Sequence, residues 1–250
     1  LLSDIHANLH AFEACLAQAE AAGAQGYALL GDLVGYGAFP AQVVQRAMRL
    51  AEAGALMVKG NHDHYANVAI ADATKMAHTG VAWTQEQLSA EERAFLAALA
   101  LTARTGRTLL VHASADAPSH WHYVTTPQTA ALSLEGAARP PIGSDEVRYV
   151  FGGHVHRQTL YFRGGAGRLM PFEPTPGAVI PVPRHRHWLA TVGAVGQPRD
   201  GRTDAMYALF DDTAKQITFY RVPYDHLAAA AAIRAAGLPG FYADRLEKGQ

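Results

Sequence analysis

The stretch Tyr27-Ala28-Leu29-Leu30-Gly31-Asp32 is a short apolar run that stops on a glycine and an aspartate. A run of this length bounded by turn residues reads as a buried strand. Residues 27–30 are therefore predicted to form a strand that hands the Asp32 carboxylate to a loop. The pattern recurs along the chain. Residues 55–59 run into Gly60-Asn61-His62-Asp63, residues 108–111 into His112, and residues 147–151 into Gly152-Gly153-His154-Val155-His156. At the start, Leu1-Leu2 leads into Ser3-Asp4-Ile5-His6 and reads as the tail of a strand, with residues expected upstream and no signal peptide in view.

Helical patterns separate these strands. Leu9, Phe12, Leu16 and Ala19 form one apolar stripe, with Asn8 placed to cap it and Gly23 to end it. Val43, Val44, Ala47, Met48 and Ala51 form a second, stopped by Gly54, and Ser89 opens a third that runs to Ala100. A further helix is expected near 128–134. Later strands are shorter. Residues 159–163 and 168–172 flank Gly164-Gly165-Ala166-Gly167, a hairpin signal, and 206–210 and 217–221 flank Asp211-Asp212. An alanine-rich helix is expected over 227–236. Alternating strands and helices followed by hairpins predict a two-sheet core with helices outside, in one domain over residues 1–250.

Composition narrows the function. The 250 residues carry 21 basic and 22 acidic side chains, and a formal charge of −1 offers no global attraction to nucleic acid or anionic lipid. The longest apolar runs, such as 94–101, are far short of the roughly 18 residues a membrane span needs. A single cysteine, Cys15, excludes an internal disulfide, fits a reducing compartment and points to the cytoplasm. Beside an apolar helix stripe, that thiol is expected to be buried and inert.

The polar residues at the strand ends are the informative ones. Asp4 with His6, Asp32, Asn61 with His62, His112, and His154 with His156 each fall where a predicted strand gives way to a loop. In open α/β sheets such ends line the ligand crevice. Residues two apart in extended chain face the same way, so each Asp-x-His or His-x-His pair is expected to face one centre. Singly, each cluster also reads as a turn, a cap or a core histidine. Jointly, that reading needs five coincidences of type, order and placement. Imidazole, carboxylate and amide carbonyl are ligands of transition metals. Two such ions a few ångströms apart need a bridging carboxylate, and they clamp the oxygens of an in-line displacement on phosphorus. The leaving oxygen then needs a proton from a group that is not a ligand, and a spare histidine is the natural donor. Rival chemistries lack their signatures: there is no Gly-x-Ser-x-Gly elbow, no P-loop lysine, and Gly165-x-Gly167 falls in a hairpin.

Asp4-Ile5-His6, Gly31-Asp32, Gly60-Asn61-His62-Asp63, His112 and Gly153-His154-Val155-His156 together resemble the ordered motif set of the calcineurin-like metallophosphoesterase superfamily. The segments 3–8, 31–37 and 196–201 resemble a bacterial branch of predicted phosphodiesterases and diadenosine tetraphosphate hydrolases. The resemblance implies a four-layer αββα sandwich of two mixed sheets flanked by helices. It also implies a dinuclear site, manganese being the expected metal and iron, zinc or nickel the alternatives. Asp4, His6 and His156 would hold the first metal, Asn61, His112 and His154 the second, and Asp32 would bridge them. His62 would be the general acid near the phosphate and Asp63 a supporting partner of the site, with hydroxide attacking opposite the leaving group.

Phosphoprotein phosphatases of the superfamily extend the second motif to Gly-Asp-x-Val-Asp-Arg-Gly. Here the aspartate and arginine positions hold Gly35 and Tyr36. An orienting carboxylate and a fork of phosphate donors are both missing. That disfavours phosphoproteins, and symmetrical tetraphosphate cleavage as well, and favours a small phosphodiester or a nucleotide polyphosphate. Tyr36, with Phe39, is then a candidate surface for a base or another apolar leaving group. Arg199 is a candidate phosphate contact and Trp121 a candidate stacking partner for a base; Tyr123 shares that reading, with packing as the alternative for both aromatics. Arg184-His185-Arg186-His187 reads as a solvated basic loop, and His64, His120 and His122 receive no role. Asymmetric diadenosine tetraphosphate cleavage, phosphoprotein dephosphorylation and a non-catalytic scaffold on the same fold are the alternatives.

Overall fold

Asn8 opens the first helix as expected: its side chain accepts from the Ala11 amide at 3.1 Å, and α1 (Leu9–Ala21) buries Phe12, Cys15, Leu16 and Ala19. The computed structural model describes residues 1–70, 76–138, 145–163 and 167–250. The expected turn at 164–166, and part of the segment 113–145, lie outside them. In chain order follow β1 (Ala28–Leu29), α2 (Pro40–Glu52), β2 (Leu56–Met57), α3 (Asn61–Tyr65), α4 (Met76–Gln87) and α5 (Ala90–Ala98). Next come β3 (Thr102–Thr105), β4 (Thr108–Val111), a 3-10 turn (Pro118–His120), α6 (Pro127–Ala137) and β5 (Tyr149–Gly152). The chain closes with β6 (Gln158–Arg163), β7 (Leu169–Phe172), β8 (Val179–Pro181), β9 (Trp188–Val192), β10 (Ala205–Asp211), β11 (Gln216–Val222), α7 (His226–Ala235) and α8 (Gly240–Lys248).

One sheet has six strands in the order β3-β4-β5-β9-β6-β7, with β4, β5 and β9 parallel and the rest antiparallel. The other is assembled from two pieces, β1-β2 and β10-β11-β8. Residues Leu1 and Leu2 join them: Leu2 bridges Leu29, while Leu1 exchanges backbone hydrogen bonds with Ala208 at 2.8 and 3.0 Å.

The apolar clusters show the layering. Phe12, Leu16, Val43, Val44 and Leu96 from α1, α2 and α5 pack on Leu29 and Tyr207 of the second sheet. Leu30, Val58, Phe151, Leu160, Ala190 and Phe219 fill the space between the sheets. Ala130, Leu134 and Ala137 of α6 cover the outer face of the first sheet, against Val150, Tyr161 and Leu189. The order is helices, sheet, sheet, helix, the expected four-layer αββα sandwich.

Sequence reading passed over α3, α4, α8, β3, β8 and β9. The most consequential is β9, which sits mid-sheet with all five residues buried. Its signal, the apolar run Trp188-Leu189-Ala190-Thr191-Val192, was present but lay beside the basic loop 184–187. Cys15 is buried as expected, and burial pushes its thiol up to about 12, so it stays protonated.

Candidate metal centre

The loops that carry the polar residues are built on left-handed backbone. Eight of the nine described non-glycine residues with positive φ lie at this one place: Asp4, His6, Ala7, Asp32, Tyr36, Trp121, His154 and His156. Each such conformation costs about 1–3 kcal/mol and persists only where surrounding structure imposes it. The expectation that Asp4-x-His6 and His154-x-His156 are extended pairs is corrected here. Their φ values of 53°, 50°, 66° and 58° curl the chain, and the curl turns both side chains of each pair inward. Adjacent loops hold the curl. The Asp4 amide donates to Gly31 at 3.0 Å, the His6 amide to Asp32 at 2.9 Å, and the Gly196 amide to Asp4 at 2.8 Å. The His154 amide donates to Asp4 Oδ2 at 2.8 Å, across a gap so tight that a side chain on Gly153 would collide with Ser3 and Asp4.

Two groups of donors result. Asp4 Oδ1 lies 3.2 Å from His156 Nε2 and 3.8 Å from His6 Nε2. Asp32 Oδ2 lies 3.3 Å from His112 Nε2, which is 3.1 Å from His154 Nδ1. Asp32 also reaches His6 Nε2 at 3.8 Å and so stands between the groups. All six of these side chains are buried.

Whether metal ions suit this cage can be judged from its protons. His6 Nδ1 donates to the Val34 carbonyl at 3.2 Å, and His156 Nδ1 to the Gln197 carbonyl at 2.5 Å. A carbonyl only accepts, so both outer nitrogens carry the hydrogen. The two Nε2 atoms then turn inward and lie 3.1 Å apart, an arrangement that a shared proton or a metal ion makes favourable. Asp4 Oδ1, Asn61 Oδ1 and His154 Nε2 are buried, without a hydrogen-bond partner among the described residues. Four imidazoles, two carboxylates and an amide oxygen, with the outer nitrogens of His6, His112 and His156 held by carbonyls, fit a pair of first-row transition metals.

Electrostatics agrees. Burial opposes the charges of Asp4 and Asp32, yet neighbouring imidazoles outweigh it and hold both carboxyls below the usual range. Burial pushes His6 well below its ordinary value and His154 down to about 4. His112 behaves oppositely: burial works against its charge, but Asp32 prevails and pushes it up to about 10. In metal-free protein, a proton on His112 therefore balances Asp32. A folded value above the ordinary 6.5 means that this stabilisation is complete below pH 6.5 and is lost as pH rises toward 10. A metal ion held at His112 would displace that proton. Adding manganese at pH 8 is expected to release close to one more proton from the wild type than from His112→Asn, read by an indicator dye in weak buffer; equal release would contradict the assignment.

His62 lies beside the cage, on α3. Its amide donates to Asp32 Oδ1 at 2.8 Å, and its ring Nε2 lies 3.1 Å from the Tyr36 hydroxyl. Its ring is also close enough to His6 and Asp32 to serve as a further ligand. Asp63 supports the site through the backbone. Both its oxygens accept backbone N–H groups, from Asp32 and Gly60 at 2.9 Å each, Leu33 at 2.8 Å and Val34 at 3.4 Å. It thus ties the loop of Asp32 to the start of α3. Asp63→Ala leaves those buried N–H groups unpaired and is expected to cost about 2–4 kcal/mol in denaturant unfolding. A loss under about 1 kcal/mol would contradict this role.

The candidate substrate contacts ring the cage. Trp121 lies 6.0 Å from His112, ring to ring, and Tyr123 stacks on His154 at 4.1 Å while 54% exposed. That Tyr123 rests on the ring of His154 is set by the fold. Arg199 lies 5.8 Å above the Tyr36 ring, its guanidinium bonded to Gln197. Phe39 packs on His10 and lines a small cavity with His6 and Tyr36. Of the unassigned histidines, His64 borders Trp121, and His122 pairs with Asp116 on the surface.

A two-sheet sandwich with a nitrogen- and carboxylate-lined cage at the ends of both sheets defines a metal-dependent phosphoesterase fold. The chain belongs to the calcineurin-like phosphoesterase superfamily, whose domain profile matches residues 1–215. This superfamily is dinuclear and metal-dependent. The crystal structure of a metallophosphoesterase from Sphaerobacter thermophilus is 34% identical, with a TM-score of 0.88 over 100% of this chain and 97% of that one. An uncharacterised protein of Methanocaldococcus jannaschii is 29% identical over 100% of this chain and 97% of its own. A hypothetical protein from Pyrococcus horikoshii shares the fold, with a TM-score of 0.77 at 18% identity over 100% and 97% of the two chains. Among the described residues, no helix is long and apolar enough to cross a membrane.

Proposed function

We propose that this protein hydrolyses a small phosphodiester or nucleotide polyphosphate at a dinuclear transition-metal centre. The convergence of Asp4, His6 and His156 on one point and of Asp32, His112 and His154 on another carries the reading, since the ligand atoms in each group lie within 4.8 Å of one another. Asp4, His6 and His156 would hold one ion, Asn61, His112 and His154 the other, and Asp32 would bridge them. Bound ions supply Lewis acidity toward phosphate oxygens and lower the pKa of water. The chain's own residues do the rest. Asp63 holds Asp32 and α3 in register, and His62 delivers a proton to the leaving oxygen. Gly35 and Tyr36, where phosphoprotein phosphatases carry aspartate and arginine, favour a diester over a phosphoprotein. Trp121 and Tyr123 offer stacking surface for a base, and Arg199 a phosphate contact. Residues 1–250 act as one domain, a reading supported by the contact of α8 with Tyr36. Manganese is the expected metal and the cytoplasm the expected location.

The test is a manganese reaction offered diadenosine tetraphosphate, bis-p-nitrophenyl phosphate and a phosphopeptide, with His62→Ala as control and products separated by chromatography. ATP plus AMP establishes asymmetric cleavage. Nitrophenol alone keeps diester chemistry, phosphopeptide turnover alone favours the phosphatase alternative, and no product favours the scaffold. Trp121→Ala is expected to raise KM for a nucleotide substrate by about tenfold, the value of one aromatic contact, at near-constant kcat. A fall in kcat with unchanged KM would contradict a stacking role.

A further inference from the structure

Helices α7 and α8 lie beyond the segment matched by the family profile, which ends at residue 215. Even so, α8 reaches the centre. Tyr242 is 5% exposed and packs edge-on against Tyr36, with ring centroids 5.0 Å apart at 66°. Its far side is closed by α4, where a methyl group on Gly80 would come within 2.7 Å of the Tyr242 hydroxyl. Tyr36 in turn lies 4.5 Å from the His62 ring, with its hydroxyl 3.1 Å from Nε2. On the opposite edge of His62 there is no room to retreat, because any side chain on Gly35 would strike Nδ1.

We infer that Tyr36 is a positioning residue for the acid His62, and that Tyr242 on α8 sets Tyr36, so that the C-terminal helical pair tunes proton delivery. The inference rests on His62 being the acid. Left-handed backbone at Tyr36, with φ 65°, fixes where its ring leaves the chain but not the ring's rotation. Tyr242 supplies that second restraint from a distant part of the sequence. Arg199 and His6 also touch the Tyr36 ring, but without Tyr242 one edge of it is unsupported; the hydroxyl then drifts from Nε2 and the imidazole from the line of the leaving oxygen. A loosened acid harms only reactions that need a proton, those with poor leaving groups.

The experiment is a series of aryl phosphodiesters running from bis-p-nitrophenyl to diphenyl phosphate, turned over by manganese-loaded enzyme. Tyr242→Ala and Tyr36→Phe are each expected to lose about tenfold more kcat on diphenyl phosphate than on the nitrophenyl ester, with KM nearly constant. Tyr242→Phe, which keeps the ring, is expected to rescue the loss. Metal content and melting temperature identify folded variants, and Tyr242→Leu replaces Tyr242→Ala if that chain does not fold. Equal losses across the series, or none, would overturn the inference. His62→Ala separates the two claims: a wild-type leaving-group dependence in that variant removes the acid itself, and the positioning role with it. As a readout independent of turnover, the ¹⁵N resonance of His62 Nε2 in zinc-loaded protein is expected to shift in Tyr242→Ala in the direction set by Tyr36→Phe. An unmoved resonance counts against the relay.

Discussion

Asp32→Asn is expected to release metal from both halves of the centre and to lower turnover by about 10³-fold or more. Among the described residues Asp32 is the one carboxylate that reaches both groups of donors, 3.8 Å from His6 and 3.3 Å from His112. Asparagine keeps the size and the acceptor for the His62 amide, so the fold and α3 are expected to survive. What is lost is one negative charge where two cations would meet. Metal analysis after dialysis, paired with manganese-dependent turnover, checks the result. Two retained metal ions with near wild-type rates would remove Asp32 as the bridge. The metal-free protein gives an independent sign. Because the imidazoles hold Asp32 below its ordinary pKa despite burial, its contribution is present above about pH 4 and is lost as pH falls. Asp32→Asn is therefore expected to weaken the acid-side loss of stability.

The second large effect is expected from His62→Ala, a fall of about 10²–10⁴-fold in kcat on substrates with poor leaving groups, with metal content retained. The imidazole is partly buried beside Asp32, and Nε2 is its only ring nitrogen that meets a side-chain hydroxyl among the described residues. A substrate leaving as nitrophenolate needs little protonation and is expected to lose far less. Loss of one metal in His62→Ala would instead assign the ring as a ligand, as its approach to His6 and Asp32 permits. Metal content and leaving-group dependence therefore decide the matter together.

Much of this centre was legible before folding. Asn8 capped α1, Ser89 capped α5, and the five polar clusters lay at strand ends as the apolar runs required. What misled was local geometry. The spacing of Asp4 and His6 suggested extended chain, yet a positive φ at both residues curls it, and only contacts with Gly31, Asp32 and Gly196 impose that cost. That the Asp63 oxygens serve amides thirty residues away was not readable from its place beside His62.

The donor types, their order along the chain and their places at strand ends were determined by the sequence alone, because apolar periodicity and turn residues act within a few positions. The tertiary structure decided which ends meet. Donors of the cage come from two different sheets, and His6 and His156 meet across 150 residues. It also decided which carbonyls fix the imidazole protons, that Tyr36 rather than an aspartate attends His62, and that α8 stands behind Tyr36. These contacts follow from packing between distant segments, and no local pattern encodes which distant partner a side chain will find.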